Sequence, residues 1–127
     1  MMQSLYQQIC ALVAAAGYTA WAADAVPPDA AFPFVTVDAR PAGNLHGTGR
    51  LTLTGWLRSD SRHADRLAMA DALLRLVSPG GTKLSLEDGL AVIYRGDRLN
   101  VEWPENPGTL GVCVKHELRM MGGGGDA

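Results

Sequence analysis

Between Arg50 and Arg58, hydrophobic and polar residues alternate without a slip. Leu51, Leu53 and Leu57 fall on one side, and Thr52, Thr54, Trp56 and Arg58 on the other. A repeat of two is the repeat of a β-strand. Clean alternation also means one face on a core and one face in water, which favours an antiparallel sheet over a buried parallel one. A second strand is expected from Phe34 to Arg40, directly after Pro33, and others over Leu90 to Arg95, Arg98 to Trp103 and Thr109 to Arg119. Gly96 and Asp97 predict a two-residue hairpin between the first two of these, with glycine where a type II′ turn needs it.

Helical spacing marks two other segments. Leu5, Ile9, Leu12, Val13 and Ala16 lie on one helical face, with Ser4 placed to cap the start and Gly17 to end the helix. Residues Tyr18 to Ala22 suit a short strand, and Pro27, Pro28 and Pro33 keep the following loop irregular. The second helix is expected from Ser61 to Val77, capped by Asp60 or Ser61. Its inner stripe would be Leu67, Ala70, Leu74 and Val77, and its outer side would hold an Asp71–Arg75 pair. Pro79, Gly80 and Gly81 stop it. The order helix, strands, helix, strands predicts an α+β fold: one domain over residues 1–121, with a mainly antiparallel sheet and two helices packed on one face. Residues 122–127 are expected to form a flexible glycine-rich tail.

Size and charge narrow the function classes. A chain of 127 residues has room for one modest core. Its net charge is −2, and Lys and Arg are spread along the sequence without a run of the kind that grips phosphates. Cys10 and Cys113 lie too far apart in sequence to suggest a disulfide framework or metal-ligand spacing, so a reducing compartment is expected. The apolar stretch Ile9 to Ala16 has no Lys or Arg before it and is broken at Gly17, unlike a secretion signal. No stretch reaches the ~20 apolar residues of a spanning helix, so no membrane partner is expected. The chain is read as cytoplasmic at synthesis.

Candidate chemistry is sparse. Cys113 and His116 are close in sequence, but three residues apart on a strand they face opposite sides of the sheet, so they do not make a nucleophile–base pair. His46, His63 and His116 show no zinc-like spacing, and no metal or cofactor is expected. Glu87 with Asp88, and Glu102 with Glu105, sit beside turns as solvated charges. The chain is therefore read as a non-enzyme with no catalytic residues.

Two features point instead to contact with a partner. The segment Pro41 to Gly49, with Gly43, Asn44, Leu45, His46 and Gly47, is too long for a tight hairpin turn. It leads into a strand, so it is no phosphate-binding loop; it is either an arm that contacts a neighbouring subunit or a floppy hairpin tip. Trp56 is a large aromatic on an otherwise polar strand face, covered either by a partner or by a loop of its own chain.

The leading helix, the proline-rich loop and the run Phe32-Pro33-Phe34-Val35-Thr36-Val37 together resemble the tail-terminator, or tail-completion, proteins of long-tailed phages. The likeness continues through a hairpin, a strand ending in the aromatic Trp56, and the polar helix start Asp60-Ser61-Arg62-His63-Ala64-Asp65. It spans about Leu5 to Val77 and is only architectural beyond. It implies an α/β sandwich whose subunits form a hexameric ring on the head-proximal end of the tail tube. That ring would stop tube polymerisation and dock the head. The implied partners are further copies of the chain, the tail tube protein and a head-completion or neck protein, with DNA passing through the lumen without sequence-specific binding. The implied location is the virion, reached through the host cytoplasm. On this reading Gly43, Asn44, Leu45, His46, Gly47 and Arg50 form the subunit contact, and Trp56 is its aromatic anchor. A near-neutral subunit suits a conduit for DNA. A neck or head-completion ring subunit and a stand-alone ligand-binding or enzymatic α+β domain are the alternatives.

Overall fold

The computed structural model describes residues 2–41, 48–58, 60–87, 89–96, 99–102 and 108–122, the backbone alone at 2, 99–102 and 121–122. In chain order the elements are α1 (Met2–Ala15), β1 (Thr19–Ala22), β2 (Phe34–Arg40), β3 (Gly49–Arg58), α2 (His63–Arg75), β4 (Thr82–Leu86), β5 (Gly89–Tyr94), β6 (Leu99–Glu102) and β7 (Thr109–Gly122). The strands make one sheet in the order β1-β2-β3-β7-β5-β4, and β6 also pairs with β7. Every pairing is antiparallel except the edge pair β1–β2, which is parallel. The α+β class read from the sequence is the class observed.

The sheet divides its residues as the alternation requires. Val35, Val37, Leu51, Leu53, Ile93, Val112, Val114 and Leu118 share a core with Leu5, Ile9 and Val13 of α1 and Met69 and Leu73 of α2. Both helices therefore cover the same face. Burying a side chain such as Leu73 completely stabilises the fold by roughly 1.5–3 kcal/mol. α2 can approach β3 closely because Gly55 has no side chain: a Cβ there would fall 2.1 Å from the Met69 sulfur. α1 is tied down twice, by the Ala39 N–H donating to the Tyr6 hydroxyl at 2.9 Å and by the Gln8 side-chain amide donating to the Ser85 carbonyl.

α1 ends as expected. Gly17 takes φ +100°, and the Gly17 and Tyr18 N–H groups bond the Ala14 and Val13 carbonyls at 3.0 and 3.2 Å. This is the left-handed stop that glycine permits. The start differs from expectation, because Ser4 lies inside the helix rather than at its cap. α2 differs similarly. Its N-cap is Arg62, which makes no side-chain capping bond, and Ser61 instead accepts from Arg66, whose Nε lies 3.2 Å from the Ser61 hydroxyl. Its inner stripe is Met69, Ala70, Leu73 and Val77, whereas Leu67 is 54% exposed and Leu74 only half-buried. The stripe is turned about one position from the expected one, since the gap at Gly55 selects Met69 as the contact. The Asp71–Arg75 pair forms on the outer side at 3.1 Å.

The largest departure is at Gly96. β5 and β6 do not form the expected hairpin. Both run antiparallel to the same edge of β7: Tyr94 is paired with Glu117, and Leu99 with Val114. Four residues separate Tyr94 from Leu99 while two separate Glu117 from Val114, so the edge is bulged after Tyr94; Arg95 and Gly96 are its described residues. Gly96 belongs there because a Cβ would fall 1.7 Å from the Lys115 carbonyl oxygen. The hairpin partner of β5 is β4, a strand the sequence reading did not anticipate, with Leu86 paired to Gly89. Gly122 closes β7 opposite Gly89 rather than opening a tail; residues 123–127 of the expected tail lie outside the described residues.

Candidate assembly interface

The expected contact residues fall in three places. Gly43, Asn44, Leu45, His46 and Gly47 lie outside the described residues. Arg50 is exposed near the start of β3, paired in register with Arg40 on β2 and with Glu117 on β7. Trp56 lies toward the other end of the same strand, so the two are not neighbours. β2 and β3 form an uninterrupted ladder from Phe34↔Trp56 to Arg40↔Arg50, and the connection between them leaves the sheet at the Arg40–Arg50 end.

Trp56 is half-buried and held by its own sheet. Its indole N–H donates to the Thr36 hydroxyl at 3.0 Å, while the six-membered ring covers Gly111, where a Cβ would lie 3.0 Å from Cζ3. The indole thus lies flat across β2, β3 and β7. Phe34, opposite it, packs on Phe32 with ring centroids 5.3 Å apart. Phe32 is joined to Pro33 by a cis peptide and is 37% exposed.

Beside these aromatics is a cleft of about 480 Å³, bounded by Tyr18, Phe32, Leu57, Arg58, Asp65 and Ala68 among others. Burial raises the Tyr18 phenol above its ordinary pKa, and the Asp65 carboxylate adds to the rise. The phenol therefore stays protonated. Sequence reading missed this cleft because its walls come from the start of β1, the proline loop, the end of β3 and the first turns of α2. The proline-rich run before β2 was the one signal pointing there.

Cys113 and His116 face opposite sides of the sheet and are not brought together. Cys113 is buried. His116 is 2% exposed, with Nδ1 accepting from the Gly96 N–H at 2.9 Å and Nε2 lying 3.0 Å from the Leu73 carbonyl oxygen. That pattern fixes the neutral tautomer with its proton on Nε2. Desolvation lowers its pKa most; the Leu73 hydrogen bond opposes that shift, and the Arg95 charge adds to it. Burial also raises the Cys10 thiol. Among the described residues no group of three His, Cys, Asp or Glu side chains could hold a metal ion, and no helix is long and apolar enough to cross a membrane.

No protein-family model, curated protein or solved structure matches this chain.

Proposed function

We propose that the chain is a ring-forming structural subunit of a phage virion, a tail terminator that caps the head-proximal end of the tail tube. The observation that carries the reading is the placement of its parts. A leading helix packs on the sheet, and the proline loop opens directly into β2. The β2–β3 ladder sends its connection out at the Arg40–Arg50 end, and β3 closes on Trp56 and Arg58 just before a polar helix. This order agrees with the resemblance to tail terminators, on which the 41–48 connection is proposed as the arm toward a neighbouring protomer. A closed ring needs such a head-to-tail contact. Further copies of the chain, the tail tube protein and a neck protein are its proposed partners, and the virion its proposed location.

Electron microscopy of particles made without this gene tests the reading. Overlong, headless tails are the expected result. Tails of normal length beside unjoined heads would move the protein to the neck, and ordinary virions would end the structural reading.

A further inference from the structure

The cations that look scattered in the sequence are gathered by the strand register. On the helix-free face of the sheet lie Arg40 of β2, Arg50 and Arg58 of β3, Lys115 and Arg119 of β7 and Lys83 of β4, all exposed. They are six of the chain's eleven Lys and Arg residues. Among the described side chains this face carries two carboxylates against them, Asp38 and Glu117. Register adds Glu102 of β6, opposite Gly111, to this face, toward the Arg58 end. The face then has six cations and three carboxylates, against five and ten in the rest of the sequence, so an acidic protein presents one basic face.

The arrangement within that face is a stripe. Arg40 and Arg50 are paired with each other, and Arg50 is level with Glu117. Lys115 and Arg119 lie one same-face position to either side on β7, and Lys83 is level with Arg119 across Val92. Five cations thus cross the full width of β2-β3-β7-β5-β4, about 19 Å at ~4.8 Å per strand. Of the five, Arg40 has a carboxylate partner among the described residues, Asp38 at 3.1 Å. Like charges set side by side on a sheet are destabilising. An anionic occupant relieves that repulsion.

We infer that this stripe binds the phosphate backbone of nucleic acid, without reading bases. Duplex DNA carries one negative charge per ~1.7 Å of axis with both strands counted, so ~19 Å of duplex holds roughly eleven phosphates, enough on the side toward the sheet to pair with several of the five cations. The side chains are long and exposed, neither of the described helices stands on this face, and the contact is electrostatic and sequence-blind. The inference does not depend on the tail reading. Its test avoids Arg50, so failure of one leaves the other standing.

The test is fluorescence anisotropy of a labelled 20-base-pair duplex titrated with the full-length chain at several salt concentrations. With about four phosphates engaged, affinity should fall about a hundredfold between 50 and 200 mM salt. Lys83→Gln, Lys115→Gln and Arg119→Gln should each reduce the salt slope by about one, and the triple variant should weaken binding at 50 mM at least tenfold. All three positions are exposed, so the variants should keep the parent's circular dichroism and melting temperature. Arg62→Gln and Arg75→Gln, on the helical layer, should change nothing. Absence of saturable binding at 50 mM, or a triple variant with the parent's slope, overturns the inference. So does salt-sensitive self-association, seen by sedimentation, that the triple variant loses while DNA binding is absent; the occupant would then be the acidic surface of a second copy.

Discussion

The imidazole of His116, on the last strand, meets the carbonyl oxygen of Leu73, in the last turn of α2, at 3.0 Å. The last carbonyls of a helix lack partners within it, and here a side chain from the sheet supplies one. The other ring nitrogen takes the Gly96 N–H of the β5–β6 bulge. Arg95, next along the bulge, donates to the Val77 carbonyl at 2.7 Å. One buried side chain and its neighbour therefore fasten helix, bulge and central strand together. Replacing His116 with Leu leaves a buried N–H and C=O unsatisfied and should cost about 1–3 kcal/mol in denaturant unfolding.

The same geometry sets a pH dependence. Burial does most to resist a second proton on His116; that proton, on Nδ1, would also face the Gly96 N–H donor to donor, beside the Arg95 charge. The unfolded chain accepts that proton near the ordinary value of 6.5. Stability contributed by neutral His116 is thus complete above 6.5 and is lost progressively as pH falls from there toward the lowered folded-state pKa. Urea unfolding at pH 7.5 and pH 5 should show a smaller acid loss for His116→Leu than for the parent. Equal losses would mean that other groups set the dependence.

Leu67 and Leu73 separate the two sides of α2. Leu73→Ala should cost about 2–5 kcal/mol, whereas Leu67→Ser should stay within about 0.5 kcal/mol in thermal melts. The reverse order would place the inner stripe where periodicity alone had put it.

Much of the fold could be read from the residues. Arg50 to Arg58 announced β3 and its two faces, and Gly17 announced the end of α1. What failed was local information overruled at a distance. Gly96 and Asp97 form a good turn signal, but the length of β7 offers β5 and β6 a continuous partner, and the glycine serves close approach to Lys115 instead. β4 does alternate, yet five residues after a Pro-Gly-Gly stop say little by themselves. Leu67 outranked Met69 in apparent hydrophobicity, and nothing in α2 tells that Gly55 will open a gap for the methionine. Of the expected contact residues, Arg50 and Trp56 could be placed. The basic stripe was illegible because Lys83, Lys115 and Arg119 become neighbours only through register.

Gly96 tests the bulge directly. Gly96→Ala drives a methyl group into the Lys115 backbone and should destabilise by about 1–3 kcal/mol or more. Gly55→Ala meets the Met69 side chain instead, and Met69→Ala should recover part of its cost. A double-mutant cycle by denaturant unfolding measures the coupling, expected at about 0.5–3 kcal/mol.

The Trp56–Thr36 bond can be weighed similarly. Trp56→Phe and Thr36→Val should each cost about 0.5–1.5 kcal/mol, and combining them should cost little more than the larger single change. Full additivity would mean that the indole is held by its packing on Gly111 alone.

The position of β7 has a bearing on when the chain can fold. The strand latest in chain order among those described stands in the middle of the sheet, with β3 on one side and β5 and β6 on the other. The two halves have no ladder joining them until it arrives. A ribosome adding ~5–20 residues per second leaves the earlier strands waiting for several seconds with open edges. Residues 109–122 act as a keystone, so completion of the sheet is coupled to their synthesis, and truncation before them should yield an aggregating chain rather than a smaller domain.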